Sequence, residues 1–527
     1  MCGIAGCIGV CDEKTINRML DAMIQRGPND RGIHKHRNSV FGHTRLAIVD
    51  VAGGHQPILA ANGTAGIICN GEIYNFRQLR DQLISKYRFT TNSDSEVALH
   101  LYRDKGPESV QELDGMFAFA IFAGDDFMLA RDPIGIKPLY YGYVDQKLYF
   151  ASELGAMSLA GVNLVHEFPP GHYYTPQQGF VQYYQVPPVQ EEEFTDLEEA
   201  CDQIRRTFIA AVKKRLLADK EIHVGSFCSG GLDSSLVAAI AAEEIPHLHT
   251  FAVGMKDEQG QISDDLKAGR MVARHFGSTH HELIFSEEDY YQALPQVIYK
   301  LESYDPSLVR CAVPCYFTCK LAADYVTVVL TGEGADEIFA GYHYMKHLPV
   351  DQVNLETRRN LTSLHNINLQ RADRIGMNFS LELRVPFLDL AMVDLAMKIP
   401  PEWKIKKQNG SAIEKWILRQ AFAGTGYLPD EILWRYKLQY TQGAGCEGLG
   451  ERLAAQEISH EEYERIKAQY PQAAINSREA AYYFQIFRQF HPQDSVLKSI
   501  GIWQGFDFAE EREHVQGTVD GYRKHKY

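Results

Sequence analysis

The sequence predicts an α/β protein in two parts, a layered first half and a second half built on a parallel, Rossmann-like sheet. Three observations carry this reading. Runs rich in aromatic and β-branched residues follow one another through the first half, with helical patterns set between them. From about position 222 onward, strand and helix patterns alternate. Between the halves lies 186–193, Val-Pro-Pro-Val-Gln-Glu-Glu-Glu, whose prolines and acidic run read as a linker and divide the chain into 2–190 and 195–527. At 527 residues the chain exceeds one hydrophobic core, in keeping with that division.

In the first half, strands are expected at 40–49, 65–69, 116–123, 148–151 and 180–186. Ile16, Met19, Leu20 and Met23 recur at helical spacing, as do Leu79 and Leu83. In the second half, strands are expected at 222–227, 248–253, 281–285 and 325–330, with helices at 232–244 and 263–276. Such alternation implies right-handed crossovers between parallel strands. Ligands then belong at the carboxyl ends of the strands.

Apolar residues at 45% and charged residues at 23% describe a soluble globular protein. A net charge of -15 argues against general binding to nucleic acid or an anionic membrane. No apolar run approaches the roughly 18 residues of a membrane span. No signal peptide is expected ahead of Cys2, so a cytoplasmic location follows, with the ten cysteines mostly as thiols. Cys311, Cys315 and Cys319 would stack on one helix face, where Ala312, Val313, Phe317 and Leu321 favour a core lining over a metal site. His280-His281-Glu282 lacks the spacing of a metal-binding H-E-x-x-H helix.

The chain opens Met1-Cys2-Gly3-Ile4. Removal of Met1 leaves Cys2 with a free α-amine, whose unperturbed pKa of about 7.7–8.0 lets it serve as base for its own thiol. Ser229-Gly230-Gly231-Leu232-Asp233-Ser234-Ser235 falls between a strand and a helix. Small residues there let backbone amides approach an anion, hydroxyls add donors, and the helix start supplies positive potential. Asp233 is suited to hold Mg²⁺ between phosphates. No G-x-x-x-x-G-K-[ST] occurs, which excludes the common NTPase loop. A second loop, Thr331-Gly332-Glu333-Gly334-Ala335-Asp336-Glu337, follows another apolar strand. It offers Asp336 as a second carboxylate for Mg²⁺, and Glu333 to face a reacting carbonyl. Nothing in spacing alone selects Lys437.

Taken together, these residues resemble the glutamine-hydrolysing asparagine synthetase family over nearly the whole chain. The first half is similar to its class II, N-terminal-nucleophile amidotransferase domain, through Met1-Cys2-Gly3-Ile4, Arg26-Gly27-Pro28, Gly42-His43-Thr44-Arg45-Leu46, Asn70-Gly71-Glu72-Ile73-Tyr74-Asn75, Ser93-Asp94 and Arg131-Asp132-Pro133 with Gly135 and Lys137-Pro138-Leu139. The second is similar to its pyrophosphatase-type synthetase domain, through the two loops and Arg384-Val385-Pro386-Phe387-Leu388-Asp389. The resemblance implies an αββα-layered N-terminal domain and an adenylating C-terminal one. Cys2 would attack the glutamine amide, Asn70 and Gly71 would donate to the oxyanion, and Arg45, Glu72 and Asp94 would bind glutamine. Ser229, Gly230, Gly231, Asp233, Ser234, Ser235, Val253, Arg310 and Gly332 would bind ATP or pyrophosphate, with Asp233 and Asp336 on Mg²⁺. Lys437 would neutralise phosphate charge during adenylation, and Glu333 would assist ammonia attack on the acyl-adenylate. The implied partners are glutamine, ATP and aspartate or another carboxylate, and the family is compatible with a homodimer. Ammonia would pass between facing sites through an apolar interdomain passage.

The match departs in places. Gln25 stands where the family usually has histidine, and Asn29 replaces an acidic residue; both lie beside the glutamine site. Leu438 and Gln442 replace acidic residues around Lys437, and Tyr440 replaces phenylalanine, which opens the identity of the acceptor carboxylate. The stretch 256–262 is longer than usual. A branch resembling β-lactam synthetases needs no glutaminase, so Cys2, Arg45, Asn70, Gly71 and Asp94 argue against it. A non-catalytic sensor would carry a decayed site, and neither set is decayed. A sugar amidotransferase would lack 229–235.

Overall fold

The computed structural model describes residues 2–189, 194–408 and 411–503. The first part contains β1 (Gly3–Ile8), β2 (Asp30–His36), β3 (Ser39–Arg45), β4 (Ile58–Leu59), β5 (Ala65–Ile73), β6 (Gly115–Ala123), β7 (Asp126–Arg131), β8 (Tyr140–Val144), β9 (Lys147–Ala151), β10 (Val165–Glu167), β11 (His172–Thr175) and β12 (Gly179–Gln182). They form two antiparallel sheets, ordered β10-β8-β9-β1-β3-β2 and β12-β11-β7-β6-β5-β4. Alternation decides what each face covers. Ile4, Phe41 and Phe150 of one sheet pack with Ile68, Ala120 and Phe122 of the other, filling the space between them. On the far sides, Ala5, Cys7 and Val40 meet Ile16, Leu20 and Met157, while Ile67, Phe117 and Phe119 meet Phe76, Leu79 and Val97. Helices Glu13–Ala22, Leu154–Leu159, Phe76–Leu83 and Glu96–Lys105 therefore close an αββα stack.

The strand expected at 40–49 ends at Arg45, because the Ala47 amide leaves the ladder to bond Asn29 Oδ1 at 2.9 Å. The one expected at 180–186 ends at Gln182, where the Tyr183 and Tyr184 amides both turn back onto the Gly171 carbonyl. Of the linker, 190–193 lies outside the described residues, and Val186 and Phe194 on either side are buried. Eight of the ten cysteines are free, as expected for most of them, while Cys7 and Cys11 are joined as a disulfide. Cys315 and Cys319 belong to the core, as the apolar surroundings predicted.

The second part holds β13 (Val224–Phe227), β14 (His249–Gly254), β15 (Thr279–Ile284), β16 (Val328–Leu330) and β17 (Glu382–Arg384). All pair parallel, in the order β15-β14-β13-β16-β17. The order reverses between β13 and β16, so the crevice at their carboxyl ends is where such a sheet takes a ligand. Helix Leu232–Glu244 follows β13, and Asp264–Phe276 follows β14 and ends at Gly277 in the left-handed region. Among the described residues no helix is long and apolar enough to cross a membrane.

Candidate functional sites

Cys2 precedes β1 and is buried. Its backbone nitrogen donates to Asn70 Oδ1 at 2.9 Å, and Arg26 Nε donates to its carbonyl at 3.0 Å, so the residue is held on both sides. Burial pushes its thiol pKa up, while the Arg45 charge pulls it down. With Oδ1 taken, Asn70 keeps Nδ2 as a buried donor without a hydrogen-bond partner. Gly71 comes next on β5; a Cβ there would meet the Met116 carbonyl oxygen at 2.0 Å, so only glycine lets β5 and β6 close at this point.

Glu72 and Asp94 are buried beside it. Asp94 Oδ2 accepts from the Ile73 amide at 2.6 Å, yet burial outweighs that bond and raises the carboxyl to about 6. Glu72 is pushed well above the carboxylate range by burial and then by Asp94, and its Oε2 has no hydrogen-bond partner. Two desolvated carboxyls crowded together favour a cationic ligand. Arg45 turns its guanidinium onto the carbonyls of Val49, Asp50 and Val51 at 3.2, 2.6 and 3.1 Å. It has no ion-pair partner among the described residues, which leaves its charge for an anionic ligand.

The second site is a cavity of about 680 Å³ at the sheet's reversal point. Ser229, Gly231, Asp233, Ser234, Val253, Arg310, Gly332, Glu333, Asp336 and Lys437 line it, so one space collects residues from both predicted loops together with Val253, Arg310 and Lys437, while the predicted 384–389 segment lies outside the lining. Gly230 and Ser235 lie behind this wall: Gly230, at φ +74°, rests on Ala268, and Ser235 is fully buried. A Cβ on Gly332 would meet the Ser234 nitrogen at 2.9 Å, so glycine allows the two loops to touch. Asp233 Oδ1 is buried without a hydrogen-bond partner, and Lys437 Nζ lies 2.7 Å from Asp336 Oδ2. Burial alone would raise the Asp336 pKa; Lys415 and Lys437 hold it far below the carboxylate range.

Two family profiles match in this order. The glutamine amidotransferase domain covers residues 1–168, and asparagine synthase covers 203–356 and 346–490. Asparagine synthetase [glutamine-hydrolyzing] 3 of Arabidopsis thaliana is 38% identical over 525 residues, 95% of this chain and 89% of that one. The probable asparagine synthetase of Dictyostelium discoideum is 36% identical over 543 residues, 95% and 96% of the two chains. The chain belongs to the glutamine-hydrolysing asparagine synthetase family.

Within this member of the family, two cavity residues escaped the sequence reading. Lys415 Nζ bridges Asp233 Oδ2 at 2.5 Å and Asp336 Oδ1 at 2.6 Å, with its side chain 1% exposed. Arg371 Nη2 lies 2.6 Å from Glu333 Oε1, giving that carboxylate a buried cationic partner. Arg310, expected on pyrophosphate or the aspartyl group, shares the cavity but lies 2.7 Å from Glu451 and is closely paired with Glu479. In the altered lysine loop, Gln442 accepts from the Gln439 amide at 3.1 Å and donates to Glu447 at 3.0 Å, capping helix Tyr440–Ala444. Tyr440 uses the hydroxyl that phenylalanine lacks to bond Thr318 at 2.8 Å. The longer 256–262 stretch closes as a bridge between Lys256 and Ile262.

The two sites meet across β17. Leu383 lines the cavity of the second site, while Arg384 reaches within 3.8 Å of Glu72 in the first.

Proposed function

We propose that the chain makes L-asparagine, L-glutamate, AMP and pyrophosphate from L-aspartate, L-glutamine, ATP and water. The observation that carries this reading is the pair of sites back to back across β17, one built on Cys2 and the other on two carboxylates and two lysines. With Met1 removed, the nitrogen held by Asn70 is the α-amine, ready to take the thiol proton as Sγ attacks the glutamine amide. Asn70 Nδ2 and Gly71 donate to the oxyanion, where one donor is worth roughly 2.7–4 kcal/mol. Asp94 and Glu72 receive the α-ammonium end, and Arg45 the α-carboxylate.

In the second site, Ser229, Gly231, Asp233 and Ser234 cradle the phosphates of ATP on a turn that Gly230 and Ser235 support from behind, with Val253 and Gly332 against the nucleotide. Asp233 and Asp336 fit Mg²⁺, since one offers a buried oxygen without a hydrogen-bond partner and two carboxylates suffice for a metal shared with phosphates. Bound there, the ion would neutralise phosphate charge. Lys437 balances charge as aspartate attacks the α-phosphorus, and Glu333, held by Arg371, takes a proton from ammonia attacking the acyl-adenylate. Arg310 orients the acceptor side of the cavity. The division into domains at 2–190 and 195–527, a cytoplasmic location, small-molecule partners without nucleic acid or membrane, and homodimeric assembly belong to the same reading.

The neutral Leu438 and Gln442 favour one second reading, amidation of a different carboxylate by the same chemistry. A panel of carboxylates incubated with glutamine, ATP and Mg²⁺, scored for pyrophosphate and amide, decides between them. Aspartate should give both products most efficiently. Pyrophosphate and amide from another carboxylate alone would overturn the choice of acceptor.

A further inference from the structure

Helix Asn368–Met377 belongs to the synthetase half, yet Asp373 on it is bonded to the residue that holds the glutaminase nucleophile. Arg26 donates through Nη1 and Nη2 to Asp373 at 2.7 and 3.1 Å, and through Nε to the Cys2 carbonyl at 3.0 Å. All three residues are buried. Among the described residues the only other ion-pair partner of Arg26 is Glu153, at 3.1 Å through a single oxygen. Burial would raise the Asp373 pKa, but Arg26 and Arg374 hold it below the usual range, so the pair stays ionic.

The same helix is fixed by its neighbours. Arg374 bonds Glu302 at 3.0 Å, and the two Glu302 oxygens receive the Leu154 and Gly155 amides of the amidotransferase half at 3.0 and 2.7 Å. Two residues before Asp373, Arg371 holds Glu333 in the adenylation cavity. One helix turn thus carries the partners of groups in both sites.

We propose that Asp373 is a positioning residue for glutamine hydrolysis: from the opposite domain it fixes Arg26, and through Arg26 the backbone of Cys2. The inference rests on Cys2 being the nucleophile. Asp373 bonds Arg26 and Arg374 rather than Arg45, Glu72 or Asp94, so it acts on the approach of Sγ and the amine, not on glutamine affinity. A misplacement of about 1 Å at a reacting group can cost on the order of 10²-fold.

The test uses the full-length enzyme with Asp373→Asn, Asp373→Ala and Asp373→Glu. Glutamine hydrolysis, pyrophosphate exchange with ammonia as the only nitrogen source, and the thermal midpoint are each measured. In the Asn and Ala variants, kcat for hydrolysis should fall about ten- to a hundredfold while KM for glutamine and the exchange rate stay within about twofold. Asp373→Glu, which keeps a carboxylate for Arg26, should recover most of the loss. Inactivation by a glutamine-like chloroketone should show a lower limiting rate at unchanged half-saturation. Unchanged hydrolysis, a rise in KM alone, or a parallel fall of hydrolysis and exchange with the thermal midpoint would each overturn the proposal. Cys2→Ala separates the two readings: hydrolysis surviving in that variant would remove the nucleophile itself, whatever Asp373 does.

Discussion

Replacing Lys415 with methionine should both destabilise the protein and disable adenylation. Among the described residues Lys415 is the only cation within ion-pair distance of Asp233, and without it Asp336 would keep Lys437 alone. Removing one partner of a buried pair typically costs about 3–5 kcal/mol, because the remaining charge stays desolvated. For a folding unit as large as the second half, one kcal/mol corresponds to roughly 1.4 °C, so the midpoint should fall by about 4–7 °C. The loss has a defined pH dependence. Asp336 has a depressed folded pKa, so its contribution is full above the unfolded carboxylate value and fades as pH falls through the folded one. Without Lys415 that pKa rises, so the gap between wild type and variant should hold near neutral pH and shrink in acid, as pH falls through the raised value. MgATP should raise the variant's midpoint more than the wild type's, since the metal restores positive charge between the carboxylates. Pyrophosphate exchange should drop by about 10²-fold or more, with glutamine hydrolysis nearly intact. Calorimetry across pH and the exchange assay test the two parts. An unchanged midpoint with normal exchange would refute the charge argument.

Cys2→Ala should abolish glutamine-dependent synthesis and leave ammonia-dependent synthesis; a folded variant equally dead with ammonium chloride would contradict the two-site reading. A preparation that keeps Met1, identified by mass spectrometry, should lose nearly all glutaminase activity, because the free amine is no longer on the nucleophilic residue. Lys437→Ala should lower kcat and kcat/KM for synthesis together by a few kcal/mol of transition-state stabilisation, read by pyrophosphate exchange. With Asp94 raised to about 6 by burial, its carboxylate is lost below that pH; kcat/KM for glutamine hydrolysis should then fall as pH drops through 6, and a flat profile to pH 5 would count against its role in binding the ammonium.

What the sequence made legible was chemistry carried by contiguous residues. The helix at 232–244 stands where its pattern placed it, because a glycine turn and an apolar run specify it locally. The serine-rich and acidic loops fall at the reversal of strand order, as expected of parallel strands that feed helices. β17 was missed because three residues are too few for any period to show. Lys415 was missed for a different reason: it sits 182 positions from Asp233 and reaches it from a backbone at φ +52°, which no charge pattern announces.

The helix from Asn368 to Met377 makes the limit plain. Arg371, Asp373 and Arg374 crowd one turn, and charges so close in sequence ordinarily describe a solvated surface. All three are buried. Their partners are Glu333, Arg26 and Glu302, the second of them 347 positions away in the other half of the molecule. Arg371 and Arg374 find their carboxylates within their own half, whereas Asp373 gains its bidentate partner, Arg26, from the other half, so that pair is complete only where the two halves dock. A residue-by-residue reading sees only the charges; the pair that crosses the seam exists once both halves have folded.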